Sequence, residues 1–219
     1  NTFWAPEIVY DPDEKLYHMY VSYIVGVYTD WLGKSSIEHY TSSDLFYWDH
    51  VGGLSFGSGR IIDPCCIRLP DGTWRMWYKD ECQNSFTHYA DSKDLYNWEY
   101  RGNATTDPQE GPNVFEFEGK YWLIADVHGQ AVYSSDDGEH FVRQKTNILD
   151  KPGTRREDNI YGAHADVFVI GGRAFIVYFT HPDCNRPNRT VVQMAELKVI
   201  DGILTCDRDA EVDCDWSQL

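Results

Sequence analysis

The chain alternates apolar and polar residues in short runs, and one segment built in this way occurs in four copies. In the third copy, NVFEF alternates with period two, Glu118-Gly119-Lys120 makes a turn, and YWLIADV follows as a second apolar run. Period-two alternation bounded by turn residues predicts short β-strands. No window keeps apolar residues at i, i+3, i+4 and i+7, which excludes a helical solenoid. The copies are WAPEIVYDPDEKLYHMYVSY, IDPCCIRLPDGTWRMWYKDE, EGPNVFEFEGKYWLIADV and HADVFVIGGRAFIVYFTH.

Three of the copies end in a similar way, with SSDLFYWDHVG, DSKDLYNWEYRG and SSDDGEHFVRQ. We expect the Ser and Asp side chains to cap a tight turn there, and the aromatic residue that follows to start a fourth strand. Four strands per copy and a repeat of about fifty residues predict an all-β fold, a β-propeller of four-stranded blades. We expect a single domain over 1-219, with repeat units at about 1-55, 56-104, 105-150 and 151-207, and a tail over 208-219.

Aligning the copies also indicates where chemistry is concentrated. The residues directly before the aligned positions Pro6, Pro64, Pro112 and Ala165 are Ala5, Asp63, Gly111 and His164, and Glu110 precedes Gly111. Equivalent positions of a radial repeat point to the same place. Three of the four copies are therefore predicted to direct a titratable group at one axis.

Composition narrows the classes of partner and compartment. The net charge of −16 argues against nucleic acid and anionic membrane surfaces, and no apolar run reaches the ~18 residues of a membrane helix. Aromatic residues make up 15%, which suits polyol ligands as well as a core. The six cysteines lack metal-binding spacing, which argues against a zinc site, although Cys184, Cys206 and Cys214 could hold a disulfide. Two glycosylation sequons, at Asn103 and Asn188, favour an extracellular or periplasmic location, with the cytoplasm left open.

The order of WAP, IDP and EGP tripeptides, a blade that opens with Gly-Ala-His, and the SxDLxxW turns between them resembles glycoside hydrolase family 43 and related five-bladed propellers. The resemblance implies that four of five blades are visible here. It implies that Glu110 is the general acid and that Asp63 orients it and tunes its protonation. It also implies that His164 lies on the axis and contacts a central metal ion through water, with a core histidine as the alternative. Calcium fits an oxygen-rich axial channel better than zinc. No other cofactor is expected.

The sequence departs from the family at the general base. The resemblance places that Asp on a first blade, whereas the first visible copy has Ala5, and Glu7 is the nearest acid that could replace it. A missing N-terminal segment or a partner chain is therefore expected to complete the propeller.

A general acid such as Glu110 is needed because a glycosidic bond breaks only when its leaving oxygen is protonated. Inversion also needs a second carboxylate, roughly 6.5–9.5 Å from the acid, to activate water. We expect substrate contacts from three groups of residues. Trp4, Trp31 and Trp77 are candidate sugar-stacking platforms, Lys79 and His128 lie at strand ends, and Arg155 lies in a long polar connection. An exposed, solvated Arg155–Arg156 pair is the alternative for the last.

The sequence thus predicts a glycoside hydrolase acting, with inversion, on a plant or algal poly- or oligosaccharide, of arabinofuranosidase, xylosidase or galactosidase type. The alternative is a propeller that binds carbohydrate without cleaving it, and a purely structural propeller is a third hypothesis.

Overall fold

A computed structural model of the chain describes residues 1–28, 30, 32–183 and 189–213. The described residues form strands, turns and bends, with no helical segment among them. Among the described residues, no helix is long and apolar enough to cross a membrane.

Sixteen strands follow one another along the chain. The first eight are β1 (Thr2–Asp11), β2 (Leu16–Ile24), β3 (Ser35–Ser42), β4 (Asp49–Leu54), β5 (Ile61–Arg68), β6 (Trp74–Asp80), β7 (Phe86–Ser92) and β8 (Trp98–Asn103). The remaining eight are β9 (Glu110–Phe117), β10 (Lys120–Asp126), β11 (Gln130–Ser135), β12 (Val142–Arg143), β13 (Ala163–Ile170), β14 (Arg173–Thr180), β15 (Val191–Ile200) and β16 (Ile203–Cys206).

Each run of four consecutive strands forms one four-stranded sheet in sequence order, with neighbouring strands hydrogen-bonded. The four sheets fall inside the four repeat units, so the predicted fold class, an all-β β-propeller of four-stranded blades, is confirmed. The chain divides into two compact units, Asn1–Pro112 and Asn113–Leu219, with the boundary inside β9. The prediction of one single domain stays a prediction.

The first strand of each blade contains one residue in the left-handed backbone conformation. The φ angle is 47° at Ala5, 55° at Asp63, 53° at Gly111 and 28° at His164. In the ladders of β1, β5 and β13 this residue lies in an irregularity of the strand register, as a β-bulge produces. A bulge adds one residue to a strand, re-aims its side chains and is frequent near active sites. These are the four positions that the sequence alignment made equivalent, and they share one uncommon conformation.

Each unit has its own apolar core. In the first unit the core contains Tyr20 and Ile37 from one sheet together with Ile61, Met76 and Tyr78 from the next. In the second unit, side chains of β9, β10 and β11 pack with those of β13, β14 and β15 in the same way. Packing on both faces explains why all seven residues of β6 are buried, because a sheet covered on both sides has no solvated face.

Two details of the sequence analysis change in the fold. Arg208, assigned to the tail, is 6% exposed and donates to the buried Asp158, so its guanidinium belongs to the interior of the second unit. Cys206 carries a free thiol. The other two cysteines considered for a disulfide, Cys184 and Cys214, lie outside the described residues.

The Ser-x-Asp turns are capped as the sequence predicts. In the second blade, Ser92 Oγ accepts the backbone N–H groups of Asp94 (3.2 Å) and Leu95 (2.9 Å). Asp94 Oδ1 accepts those of Tyr96 (2.9 Å) and Asn97 (2.7 Å). The turns at Asp44 and Asp137 repeat the pattern. The caps fix the direction in which each fourth strand starts.

Replacing Asp94 with Ala should lower the free energy of unfolding by about 1–2 kcal/mol, because two backbone N–H groups lose their acceptor. Asp94→Asn keeps an acceptor oxygen and should lose less than half of that amount. Urea unfolding at neutral pH measures both changes. Equal losses in the two variants would contradict the capping role.

Candidate active site

Asp63 is the most buried acid among the predicted site residues, with 3% of its surface exposed. Its backbone N–H donates to Ser22 Oγ at 2.9 Å, and its Oδ2 accepts the N–H of Gly111 at 3.2 Å. Its Oδ1 is buried and has no hydrogen-bond partner among the described residues. Buried polar atoms are nearly always paired, and exceptions are often functional. Asp63 Oδ1 is therefore left without a partner by the described residues, while the carboxyl group as a whole lies close enough to Glu110 to share a hydrogen bond with it.

The environment of Asp63 favours the protonated acid. Burial raises the pKa of Asp63 well above its usual range, and the nearby negative charge of Glu110 raises it further. The Gly111 N–H and the charge of Lys79 act in the opposite direction but do not offset these effects. A raised pKa with a specific charge partner is typical of a functional carboxyl group.

Lys79 connects Asp63's surroundings to Glu110. It lies in β6, is 5% exposed, and its Nζ donates to Glu110 Oε2 at 2.6 Å and to Glu81 Oε1 at 3.3 Å. Burial alone would lower the pKa of Lys79, but its contacts with Glu110 and Glu81 outweigh burial and the pKa is raised. The ammonium is thus held charged. Glu110 keeps 45% of its side chain exposed, so its carboxylate is held by the buried Lys79 and is also open to solvent.

One strand position explains this arrangement. Ser22 and Lys79 occupy the same place in β2 and β6, opposite the residue that precedes the bulge. Ser22 accepts the N–H of the next blade's bulge residue, Asp63. Lys79 carries no acceptor, so the N–H of Gly111 bonds to Asp63 instead. The substitution of a lysine at this position therefore brings a carboxyl group and an ammonium to Glu110.

Glu7, the candidate replacement for the missing base, is used elsewhere. Its Oε1 accepts the backbone N–H of Cys66 at 2.9 Å and so joins β1 to β5. This contact places the carboxylate on the neighbouring sheet, which argues against its use as a base. The bulge position of the first blade is occupied by Ala5, so the general base is not among the residues assigned here.

The His164 region belongs to the second unit. The N–H of His164 donates to Asp126 Oδ2 at 3.0 Å, and its ring lies 6.5 Å from that of Phe179. Asp126 thus plays the part in β10 that Ser22 plays in β2. In the described part of the chain, His164 belongs to no group of three close His, Cys, Asp or Glu ligand atoms. The water-mediated contact with calcium stays a prediction.

The three tryptophans proposed as sugar platforms have different environments. Trp4 is half-buried in β1 directly before Ala5, and its role stays a prediction. Trp31 lies outside the described residues. Trp77 is completely buried in β6, so neither ring face is open to a sugar and this assignment is wrong.

The predicted polar contacts also differ in their surroundings. His128 is exposed after β10, with its ring 4.5 Å from that of Tyr161. Arg155 donates to Met194 O at 3.0 Å, Asp158 Oδ2 at 3.2 Å and Tyr178 Oη at 3.0 Å. These bonds tie Arg155 into the interior network of the second unit. Its side chain keeps 28% exposure, and the predicted ligand contact stays a prediction.

Sequence reasoning missed two parts of the site. Ser22 was overlooked because a lone serine in a strand carries no signal, although its equivalence with Lys79 would have indicated it. The second partner of Lys79, Glu81, is in turn paired with Arg60 (2.5 Å between Nη2 and Oε2). These ion pairs hold Lys79 beside Glu110 and could not be predicted from the spacing of residues in the sequence.

Asp63→Asn should change how stability depends on pH. Because its pKa is raised on folding, Asp63 stabilises the fold at low pH relative to high pH, and stability is lost as pH rises above the ordinary value of about 4. Asn stays neutral and keeps an oxygen for the Gly111 N–H. The variant should gain at least about 1 kcal/mol over the wild type between pH 4 and pH 8. Urea unfolding at both pH values measures this.

Asp201→Asn is the matched control, since Asp201 also has a left-handed backbone (φ 52°) but is exposed. It should follow the wild type at both pH values. A parallel response of Asp63→Asn and wild type would contradict the protonated state of Asp63.

Comparison with known proteins finds similarity in structure. No protein-family model matches the sequence, and no curated protein matches it either. Among solved structures, a thermostable family-43 glycoside hydrolase superposes with a TM-score of 0.73 and 20% identity, over 96% of this chain and 77% of that one. An endo-1,4-β-xylanase from Bacteroides thetaiotaomicron superposes with a TM-score of 0.74 and 18% identity, over 94% of this chain and 76% of that one. For a family-43 β-1,3-galactosidase the TM-score is 0.73 and the identity 11%, over 93% of this chain and 74% of that one. The predicted resemblance is thereby confirmed at the level of fold: the chain has four blades of the β-propeller found in family-43 glycoside hydrolases.

Proposed function

We propose that this protein is a glycoside hydrolase that cleaves a glycosidic bond of a poly- or oligosaccharide. The observation that carries the proposal is the group formed by Asp63, Glu110 and Lys79, in which a buried carboxyl group with a raised pKa stands beside an accessible, lysine-bound glutamate. The fold supports it, because structures with the same fold are glycoside hydrolases of family 43.

Glu110 is the group that would protonate the leaving oxygen. It is the accessible member of the group, with 45% of its side chain exposed, and an acid must reach the glycosidic oxygen within about 2.6–3.2 Å. Asp63 is buried and cannot reach a substrate in the same way. Its part is to position the Glu110 backbone through the Gly111 N–H and to hold a proton next to Glu110.

Lys79 has two effects on this acid. Its hydrogen bond fixes the direction of the Glu110 carboxylate, which lowers the cost of orientation when substrate binds. Its positive charge also stabilises the anion that remains after Glu110 has given up a proton. Both effects favour bond cleavage and need no contact between Lys79 and the sugar.

The attacking water needs a base that the assigned residues do not supply. We include in the proposal an inverting mechanism and a base on a further segment or a partner chain that completes the propeller. The support is the resemblance to a five-bladed family and the engagement of Glu7 with Cys66. The proton magnetic resonance spectrum of the first sugar formed distinguishes inversion from retention.

The proposed substrates follow from the related structures named above. These include a xylanase and a β-1,3-galactosidase, so xylosides and galactosides are the first substrates to test, followed by arabinofuranosides.

The proposal also includes a location and a metal ion. An extracellular or periplasmic location is supported by the sequon at Asn103, which lies at the end of β8. A calcium ion would contact His164 through water, and no step above depends on it.

A second function, sugar binding without hydrolysis, is favoured by one observation. The bulge position that carries Asp63 in the second blade carries Ala5 in the first. With Ala5 at that position, a chain that acts alone would retain the Asp63 and Glu110 acids but would have no base to activate the attacking water.

Glu110→Gln should lower kcat/KM on an unactivated disaccharide by about 10²–10⁴-fold, because general acid catalysis is lost. On a 2,4-dinitrophenyl glycoside of the same sugar the loss should be much smaller, because that leaving group departs without protonation. Initial rates on the two substrates measure the difference.

Glu116→Gln is the matched control, an exposed glutamate on the same strand β9, and it should leave both rates unchanged. Equal losses on both substrates would contradict the acid role of Glu110. No turnover by the wild type, with sugar binding retained, would select the binding function instead.

A further inference from the structure

A second cluster of charged side chains lies at the other end of β1 from the bulge. Asp11 ends β1, Glu14 lies in the turn that follows, and His18 lies in β2. Asp11 lies six positions after Ala5, which is about 20 Å along a strand. One ligand atom from each of the three residues lies within 4.8 Å of the other two. This cluster is therefore distinct from the Asp63 and Glu110 group and takes no part in the proposed hydrolysis.

His18 provides the observation that points to a ligand. It is completely buried, and its Nε2 has no hydrogen-bond partner among the described residues. The Oε2 of Glu14 lies 3.9 Å from this nitrogen, too far for a hydrogen bond. Two donors bonded to one tetrahedral Zn²⁺ ion at about 2.0–2.2 Å lie roughly 3.4 Å apart. The Nε2–Oε2 distance of 3.9 Å is about half an ångström longer, a difference that a small rotation of the exposed Glu14 side chain would close.

The surrounding hydrogen bonds are those that hold metal ligands in place. His18 Nδ1 lies 2.9 Å from Nε2 of His39, which is itself buried. When Nδ1 carries the proton and donates to His39, Nε2 presents its lone pair to the cluster. The hydroxyl of Tyr96 donates to Glu14 Oε2 at 2.8 Å. Metal-binding histidines and carboxylates commonly have such outer partners, which fix their orientation.

The electrostatics of the cluster favour a cation. Asp11 is 6% exposed, and burying a carboxylate is unfavourable unless a positive charge or donors compensate. Within the described part of the chain, its Oδ1 accepts only the uncharged N–H of Asp13, at 2.9 Å. The nearby Asp13 is paired separately, with Arg68, at 2.8 Å.

We propose that Asp11, Glu14 and His18 form a binding site for a divalent transition-metal ion, with Zn²⁺ as the best match. A set of one imidazole and two carboxylates suits zinc, whereas calcium takes six to eight oxygen ligands. Three protein ligands leave a fourth tetrahedral position for water. The cysteine spacing that argued against zinc does not bear on this site, since none of the ligands is a cysteine. The ion would tie the β1–β2 turn to Tyr96 in the next blade.

The test is calorimetric titration of the full chain with Zn²⁺ at neutral pH, and with Ca²⁺ in parallel. We expect the wild type to bind Zn²⁺ at this site more tightly than Ca²⁺. Glu14→Gln, at an exposed residue, and Asp11→Asn should each weaken this Zn²⁺ binding at least tenfold. Glu118→Gln is the matched control, an exposed turn glutamate of the third blade, and should bind as the wild type does.

Thermal unfolding with and without Zn²⁺ provides a second readout that does not depend on sugar hydrolysis. Zn²⁺ should raise the Tm of the wild type and of Glu118→Gln, and should raise it less in the other two variants. Circular dichroism verifies that each variant is folded. Three results would overturn the proposal: no Zn²⁺ binding by the wild type, wild-type affinity in both Glu14→Gln and Asp11→Asn, or a preference for Ca²⁺.

Discussion

The candidate active site depends on one backbone constraint, the left-handed residue in the first strand of each blade. Left-handed geometry costs a residue with a Cβ roughly 1–2 kcal/mol, and Asp tolerates it better than most. At this residue the side chain and the backbone N–H point away from the regular hydrogen-bond ladder of the sheet. At Asp63 this turn buries the carboxyl group while its oxygen accepts the N–H of Gly111, the left-handed residue of the next blade. Glu110 is placed by the same contact, because it directly precedes Gly111.

The chemistry of the site follows from one change at a neighbouring strand position. In the first and third blades the residue there, Ser22 or Asp126, accepts the N–H of the next bulge. In the second blade it is Lys79, which can only donate. The acceptor role passes to Asp63, and the ammonium turns to Glu110. A structural hydrogen bond of the repeat has thus been replaced by an arrangement of acid, carboxylate and ammonium that a structural role does not require.

Much of the fold could be predicted from sequence, because the repeat makes each copy a check on the others. Alternation gave the strands, the Ser-x-Asp motif gave the capped turns, and alignment gave the four bulge positions. Trp77 was misjudged because period-two alternation assumes one solvated face, whereas β6 is buried on both. The structural partners of Arg155, Met194 and Tyr178, could not be predicted because they are distant in sequence. The contact of Lys79 with Glu110 was missed for the same reason: pairing between blades leaves no local pattern.

The central claim is that Asp63 is a protonated acid beside Glu110 near neutral pH. The most direct measurement is the carbon-13 chemical shift of the Asp63 side-chain carboxyl group across pH, assigned by its loss in Asp63→Asn. The account predicts that this carbon keeps the shift of a protonated acid at pH 6 and changes only at higher pH. A transition near pH 4, the ordinary value for Asp, would contradict it.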